Sequence, residues 1–111
     1  MPSVESFEKL LASGKDSALL RFSLGSEYLK LGRPADAIGH LKEATAKDPK
    51  YTAAWKLLGK ALAETGDKSG AIEAFDAGLR AAEAHGDKQA GKEMTVFRRR
   101  ALREDGSQGT S

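Results

Sequence analysis

The sequence predicts an all-α protein built as a stack of helix–turn–helix pairs, and three observations carry that reading. The chain repeats itself: when residues 18–51 are laid over residues 52–85, Leu24 falls on Leu58, Gly25 on Gly59, Gly32 on Gly66, Ala37 on Ala71 and Ile38 on Ile72, every pair 34 residues apart. A fixed period of this length marks a unit that buries its apolar face only by stacking on a neighbour. Apolar residues also recur at helical spacing, as in Trp55, Leu58 and Leu62, which share one side of a helix. Finally, Ala and Leu are frequent while aromatics make up only 6% of the 111 residues, a balance that favours helices over sheets.

The elements follow in order. "MPSVESFEKLLASG" reads as a capping helix over 3–13, because Phe7 lies 34 residues before Leu41 and Leu10 the same distance before Ala44. In "GKDSA" either Asp16 or Ser17 caps a helix over 17–31. "LGRPADA" ends that helix at Gly32 and starts the next, 34–46, at Pro34. "KDPKY" places Asp48 as N-cap and Pro49 at the first position of a helix over 49–64. Gly66 and Asp67 separate it from a helix over 68–85, and Gly86 and Asp87 separate that one from a C-terminal capping helix within 87–103. Its stripe of Ala90, Met94, Phe97 and Ala101 has helical spacing. One inserted residue near His85-Gly86 brings Ala90, Met94 and Phe97 onto the core positions of a third, truncated unit. The expected organisation is one domain, 1–104, with repeats at 18–51 and 52–85, and a disordered polar tail, 105–111.

Glycine inside a helix costs about 1 kcal/mol against alanine. Gly25 and Gly59 are therefore expected where the second helix of a pair crosses the first, and Gly78 where one unit meets the next. Trp55 is expected to be largely buried.

The period and pattern resemble the tetratricopeptide repeat family, whose units read W-x2-L-G-x2-Y, then A-x3-F, then P. The first unit here has Arg21-x2-Leu24-Gly25-x2-Tyr28, Ala37-x3-Leu41 and Pro49. The second has Trp55-x2-Leu58-Gly59-x2-Leu62 and Ala71-x3-Phe75, with Glu83 in place of the final Pro. The resemblance is to the small stand-alone bacterial members. It implies a right-handed superhelical stack and a protein-binding scaffold.

The residues carry no enzyme signature. Cys is absent, which removes disulfides and thiolate metal sites. His40 and His85 have no second ligand at metal spacing and read as surface or helix-end residues. "ASGKDS" lacks the rest of a phosphate loop. No metal, cofactor or catalytic residue is therefore expected. No apolar run is long enough to span a bilayer, the N-terminus has no basic start, and a cytoplasmic compartment is the expectation. The net charge of +2 selects no class of partner.

The resemblance implies a concave groove lined by the first helix of each pair. Its candidate peptide-binding residues are Phe22, Ser26 and Leu29 in the first unit, Lys56, Leu57 and Lys60 in the second, and Lys88, Lys92 and Arg98 beyond it. Lys56, Lys60, Lys88, Lys92 and Arg98 are expected to converge, opposed only by Glu64, and to favour an acidic peptide. Family members that grip a chaperone's terminal carboxylate use Lys, Asn, Asn, Lys and Arg. The matching positions here are Phe22, Ser26, Leu57, Lys88 and Lys92, so that ligand is not expected. The function expected is a non-catalytic protein–protein interaction module, monomeric in its simplest form. The alternatives are nucleic-acid binding through Arg98, Arg99, Arg100 and Arg103, and a self-assembling structural adaptor.

Overall fold

Local chain chemistry sets the helix boundaries. The computed structural model describes residues 3–110, with side chains described through residue 103. Six helices follow one another: α1 (Val4–Ala12), α2 (Ala18–Lys30), α3 (Pro34–Lys47), α4 (Thr52–Glu64), α5 (Lys68–His85) and α6 (Lys88–Thr110). No strand occurs among the described residues. The tail expected to be disordered, 105–111, lies outside the residues whose side chains are described.

Side chains satisfy the free N–H groups at four helix starts. Ser3 accepts from the Ser6 N–H at 3.3 Å, Ser17 from Leu20 at 3.0 Å, Asp67 from Gly70 at 2.9 Å and Asp87 from Ala90 at 3.1 Å. Ser17, not Asp16, therefore caps α2. The start of α4 departs from expectation: it begins at Thr52, not at Pro49. Asp48 closes α3 instead, donating its N–H to the Ala44 carbonyl. Its carboxylate then accepts from the Lys50 N–H at 3.1 Å and its carbonyl from Tyr51 at 3.0 Å. These bonds hold Pro49 in a turn. The Trp55 indole N–H donates to the Pro49 carbonyl at 2.8 Å and ties that turn to α4.

The mid-helix glycines sit where helices cross. A Cβ at Gly25 would lie 2.6 Å from Leu41 Cδ2, and one at Gly59 2.6 Å from Phe75 Cδ1. Each glycine thus receives a large side chain from the second helix of its own pair. Gly78 plays the same part between units, beneath the Met94 sulfur and the Trp55 Cβ. Leu24, Leu41, Phe75 and Met94 are the largest fully buried side chains. Trp55 is only half-buried and packs on the edge of this core. The expected burial fails because α3 and α5 do not meet over the indole.

That gap follows from the layering. Along the inner layer, α4 touches both α2 and α6. In the outer layer the backbones of α1, α3 and α5 do not approach one another among the described residues, and α1 reaches α3 through the Glu8 and His40 side chains. Outer helices that splay while inner helices touch bend the stack, with its concave side on α2, α4 and α6. The radius of gyration, 14.4 Å, exceeds the roughly 13 Å of a globular chain of this length.

The third unit is out of step by two residues, not one. From Ala18 to Thr52 is 34 residues, but from Thr52 to Lys88 is 36. The extra length lies in α5, which has 18 residues against 14 in α3. Gly86 ends α5 in the left-handed region at φ 68°, where glycine has no Cβ penalty. Counted from the helix starts, Met94 then stands in register with Leu24 and Leu58. Ala90 stands with Leu20 and Ala54, and Thr95 with Gly25 and Gly59.

A polar network closes the N-terminal end. The Tyr28 hydroxyl donates to the Glu8 carboxylate at 2.7 Å, which raises the phenol pKa, with burial adding to the effect. His40 stacks on Tyr28 with ring centroids 5.6 Å apart, its Nε2 3.7 Å from Glu8. Its Nδ1 lies 3.3 Å from Arg21 Nη1. His40 is thus a packed tie between helices, not the surface residue expected. Arg21 also donates twice to Asp16, at 2.9 and 3.0 Å, and Lys47 approaches the same carboxylate at 3.4 Å. The Arg21 hydrogen bonds, followed by those of Lys47, outweigh desolvation and hold the Asp16 carboxyl at about 2, below the ordinary 3.8. A depressed carboxylate pKa stabilises the fold above the ordinary value, and the contribution is lost as pH falls through the folded value. Melting temperature is therefore expected to fall between about pH 4 and pH 2, and less steeply in Asp16→Asn. Parallel slopes for the two chains in a pH series of thermal melts would remove Asp16 from this role.

Candidate peptide-binding groove

The concave side places residues of α2, α4 and α6 along one face. At one end, Phe22 of α2 packs on Tyr51 with ring centroids 4.9 Å apart and planes tilted by 31°. Leu29 and Leu57 are half-buried against the core, and Ser26, between Phe22 and Leu29 in sequence, is half-buried as well. Leu19 is 65% exposed, so this end offers apolar surface to solvent.

Between α4 and α6 lie two depressions. The first, about 200 Å³, includes Ala53, Lys56, Ala90 and Glu93. Lys56 Nζ sits 3.2 Å from Glu93 Oε1, so the charge of Lys56 is already met across the groove. The second, about 220 Å³, is lined by Lys60, Ala63, Glu64, Phe75, Phe97, Arg100 and Ala101. Here the Lys60 ammonium lies 5.0 Å and the Arg100 guanidinium 5.7 Å from the centre of the Phe97 ring. A ring face attracts cations, by about 0.5–1 kcal/mol where solvent is present, and so holds both groups at the groove wall. Neither is in an ion pair with a described residue.

The cations expected to converge therefore do not all meet. Lys56 and Lys60 share the groove side of α4. Lys88 and Lys92 line a different cleft, between α5 and α6, together with Arg99. Arg98 turns to α5, where Nε donates to Asp76 Oδ1 at 2.6 Å. Lys92 stands in register with Phe22 and Lys56, but on α6 it opens onto the α5–α6 cleft. Glu93, absent from the expected opposition, stands beside Lys56. The turn of the helix, about 100° per residue, disperses the arginine run: Arg98 is on Asp76, Arg99 in the α5–α6 cleft, Arg100 over Phe97 and Arg103 exposed. The four arginines do not share one face.

Tyr51, Phe97 and Arg100 were not among the candidate groove residues, Arg100 having been named only for the nucleic-acid alternative. Tyr51 was hidden by the misplaced start of α4, and the other two by the register of α6. Among the described residues no group of acidic or histidine side chains is placed to hold a metal ion, and no helix is long and apolar enough to cross a membrane.

Paired helices in a bent stack, with an open inner wall and no reactive cluster among the described residues, define a helical-repeat scaffold. The tetratricopeptide repeat model matches residues 22–85, and the chain belongs to that family. It is 55% identical over 97 residues to the TPR repeat-containing protein PA0015 of Pseudomonas aeruginosa, covering 87% of this chain and 92% of that protein. Protein BPP2914 from Bordetella parapertussis, solved in solution, superposes with a TM-score of 0.82 at 44% identity, over 99% of this chain and 96% of that one. A tetratricopeptide repeat domain protein from Salinibacter ruber shares the fold, with a TM-score of 0.72 at 23% identity, over 78% of this chain and 97% of that one. Proteins of this family are generally non-catalytic, and their fold generally mediates protein–protein interaction.

Proposed function

We propose that the protein binds a short segment of a partner protein along its concave side, with an acidic group of that segment held at the end formed by Lys60, Phe97 and Arg100. The observation that carries this reading is the pair of cations over one aromatic ring, beside a depression large enough for a side chain. Leu57, Phe22 and the exposed Leu19 supply apolar contacts along the same side. A single exposed ion pair is worth little, so recognition requires both cations together with the apolar wall. Affinity should fall as salt rises, because exposed charges are screened beyond roughly 8–10 Å at ordinary ionic strength.

An NMR titration with acidic–hydrophobic peptides tests this. Amide shifts are expected along α4 and at Phe97 and Arg100, with binding at least about tenfold weaker in Lys60→Glu/Arg100→Glu. Such a loss corresponds to about 1.4 kcal/mol. Equal binding by the charge-reversed chain, or shifts confined to other faces, would remove the groove from the function.

A further inference from the structure

The α5–α6 end of the stack holds an open cleft of about 670 Å³, and the chain's own architecture states what shape fits it. In each complete unit the second helix lies over the glycine of the first: Leu41 of α3 over Gly25, and Phe75 of α5 over Gly59. In the third unit that register position is Thr95 of α6, which is exposed. It lines the cleft with Gly91 and Val96 of α6 and Leu79 and Ala82 of α5. Val96 is 48% exposed, a large apolar side chain left in water on the lining of the cleft. The vacancy thus corresponds to α3 and α5 in the complete units.

We propose that this cleft is a second binding surface, distinct from the concave groove, which takes an amphipathic helix from a partner protein with acidic residues on its flanks. Such a helix would lie on α6 as α3 lies on α2 and α5 on α4. Charge selects the occupant. Lys88, Lys92 and Arg99 line the cleft, and none is in an ion pair with a described residue. Of the two acids lining it, Asp87 already caps α6 through the Ala90 N–H, leaving Glu83. A second copy joined across a twofold axis would set the same three cations against their counterparts, and like charges across an interface oppose association. A helix with an apolar face and acidic flanks meets both the apolar floor and the cationic wall.

The probe is a blocked peptide of the chain's own residues 68–85 carrying Arg80→Glu, an apolar second helix made more acidic. Titrated into the labelled full chain, it is expected to shift the amides of Leu79, Gly91, Thr95 and Val96. Val96→Asp in the protein should weaken binding at least about tenfold. A basic peptide, with Glu73→Lys and Glu83→Lys in the unmodified segment, should also bind at least about tenfold more weakly. Lys60→Glu/Arg100→Glu should leave this binding unchanged, which separates the cleft from the groove. No shift in the cleft, equal binding of acidic and basic peptides, or shifts along the concave side would overturn the proposal. So would sedimentation showing a dimer of the free chain that Val96→Asp dissolves, because a second copy would then be the occupant.

Discussion

Phe75→Ala is expected to destabilise the protein by about 3–5 kcal/mol, the range for truncating a buried aromatic side chain. The ring is 1% exposed and fills the space above Gly59, so its removal empties the crossing of α4 and α5. A domain of this size is held by only about 5–15 kcal/mol. Gly59→Ala should also be destabilising, although alanine favours the helix by about 1 kcal/mol. Its methyl would overlap a rigid ring, and overpacking of this kind costs about 1–3 kcal/mol. The double variant should lose less than the sum of the two, because the added methyl then enters space the ring has vacated. Denaturant melts of the four chains provide the test. Additive losses would mean that Gly59 and Phe75 do not share that space.

Removing α6 by ending the chain after Gly86 is expected to abolish a cooperative melt or to cause aggregation. Met94 is fully buried over Gly78, and Phe97 packs on Phe75 with ring centroids 6.1 Å apart. Loss of a buried Met side chain alone costs about 2–5 kcal/mol, and the truncation also uncovers the side of α4 and α5 that α6 covers. A newly exposed apolar patch of that kind promotes association. Circular dichroism melts and light scattering of the shortened chain measure both effects. A monomer with the parent melting temperature would show that α6 is an appendage and not part of the packed stack.

The repeating part was legible in the sequence because its signals are local or periodic. Gly25 and Gly59 as helix crossings, and the helix starts at Asp67 and Asp87, could each be read from spacing. The start of α4 was misread because Asp48 has two competing uses, as a helix cap and as a turn acceptor. The choice depends on where the Trp55 indole finds an acceptor, which is a tertiary matter. The register of α6 was misread because the repeat ends at residue 85 and α5 runs longer than α3. With no further period to count from, its phase is set by Met94 dropping onto Gly78.

By itself, then, the sequence determined the helices, their pairing and the family. A fixed period forces each unit to bury the same face against its neighbour, and small residues at fixed positions admit the partner helix. The tertiary structure alone decided which cations share a surface. One residue of phase turns a helical side chain by about 100°. The packing of α6 on α5 sends Lys88, Lys92 and Arg99 to the open end, Arg98 to Asp76, and Arg100 to the ring shared with Lys60. Charge identity is written residue by residue, but charge direction depends on packing that spans the whole stack.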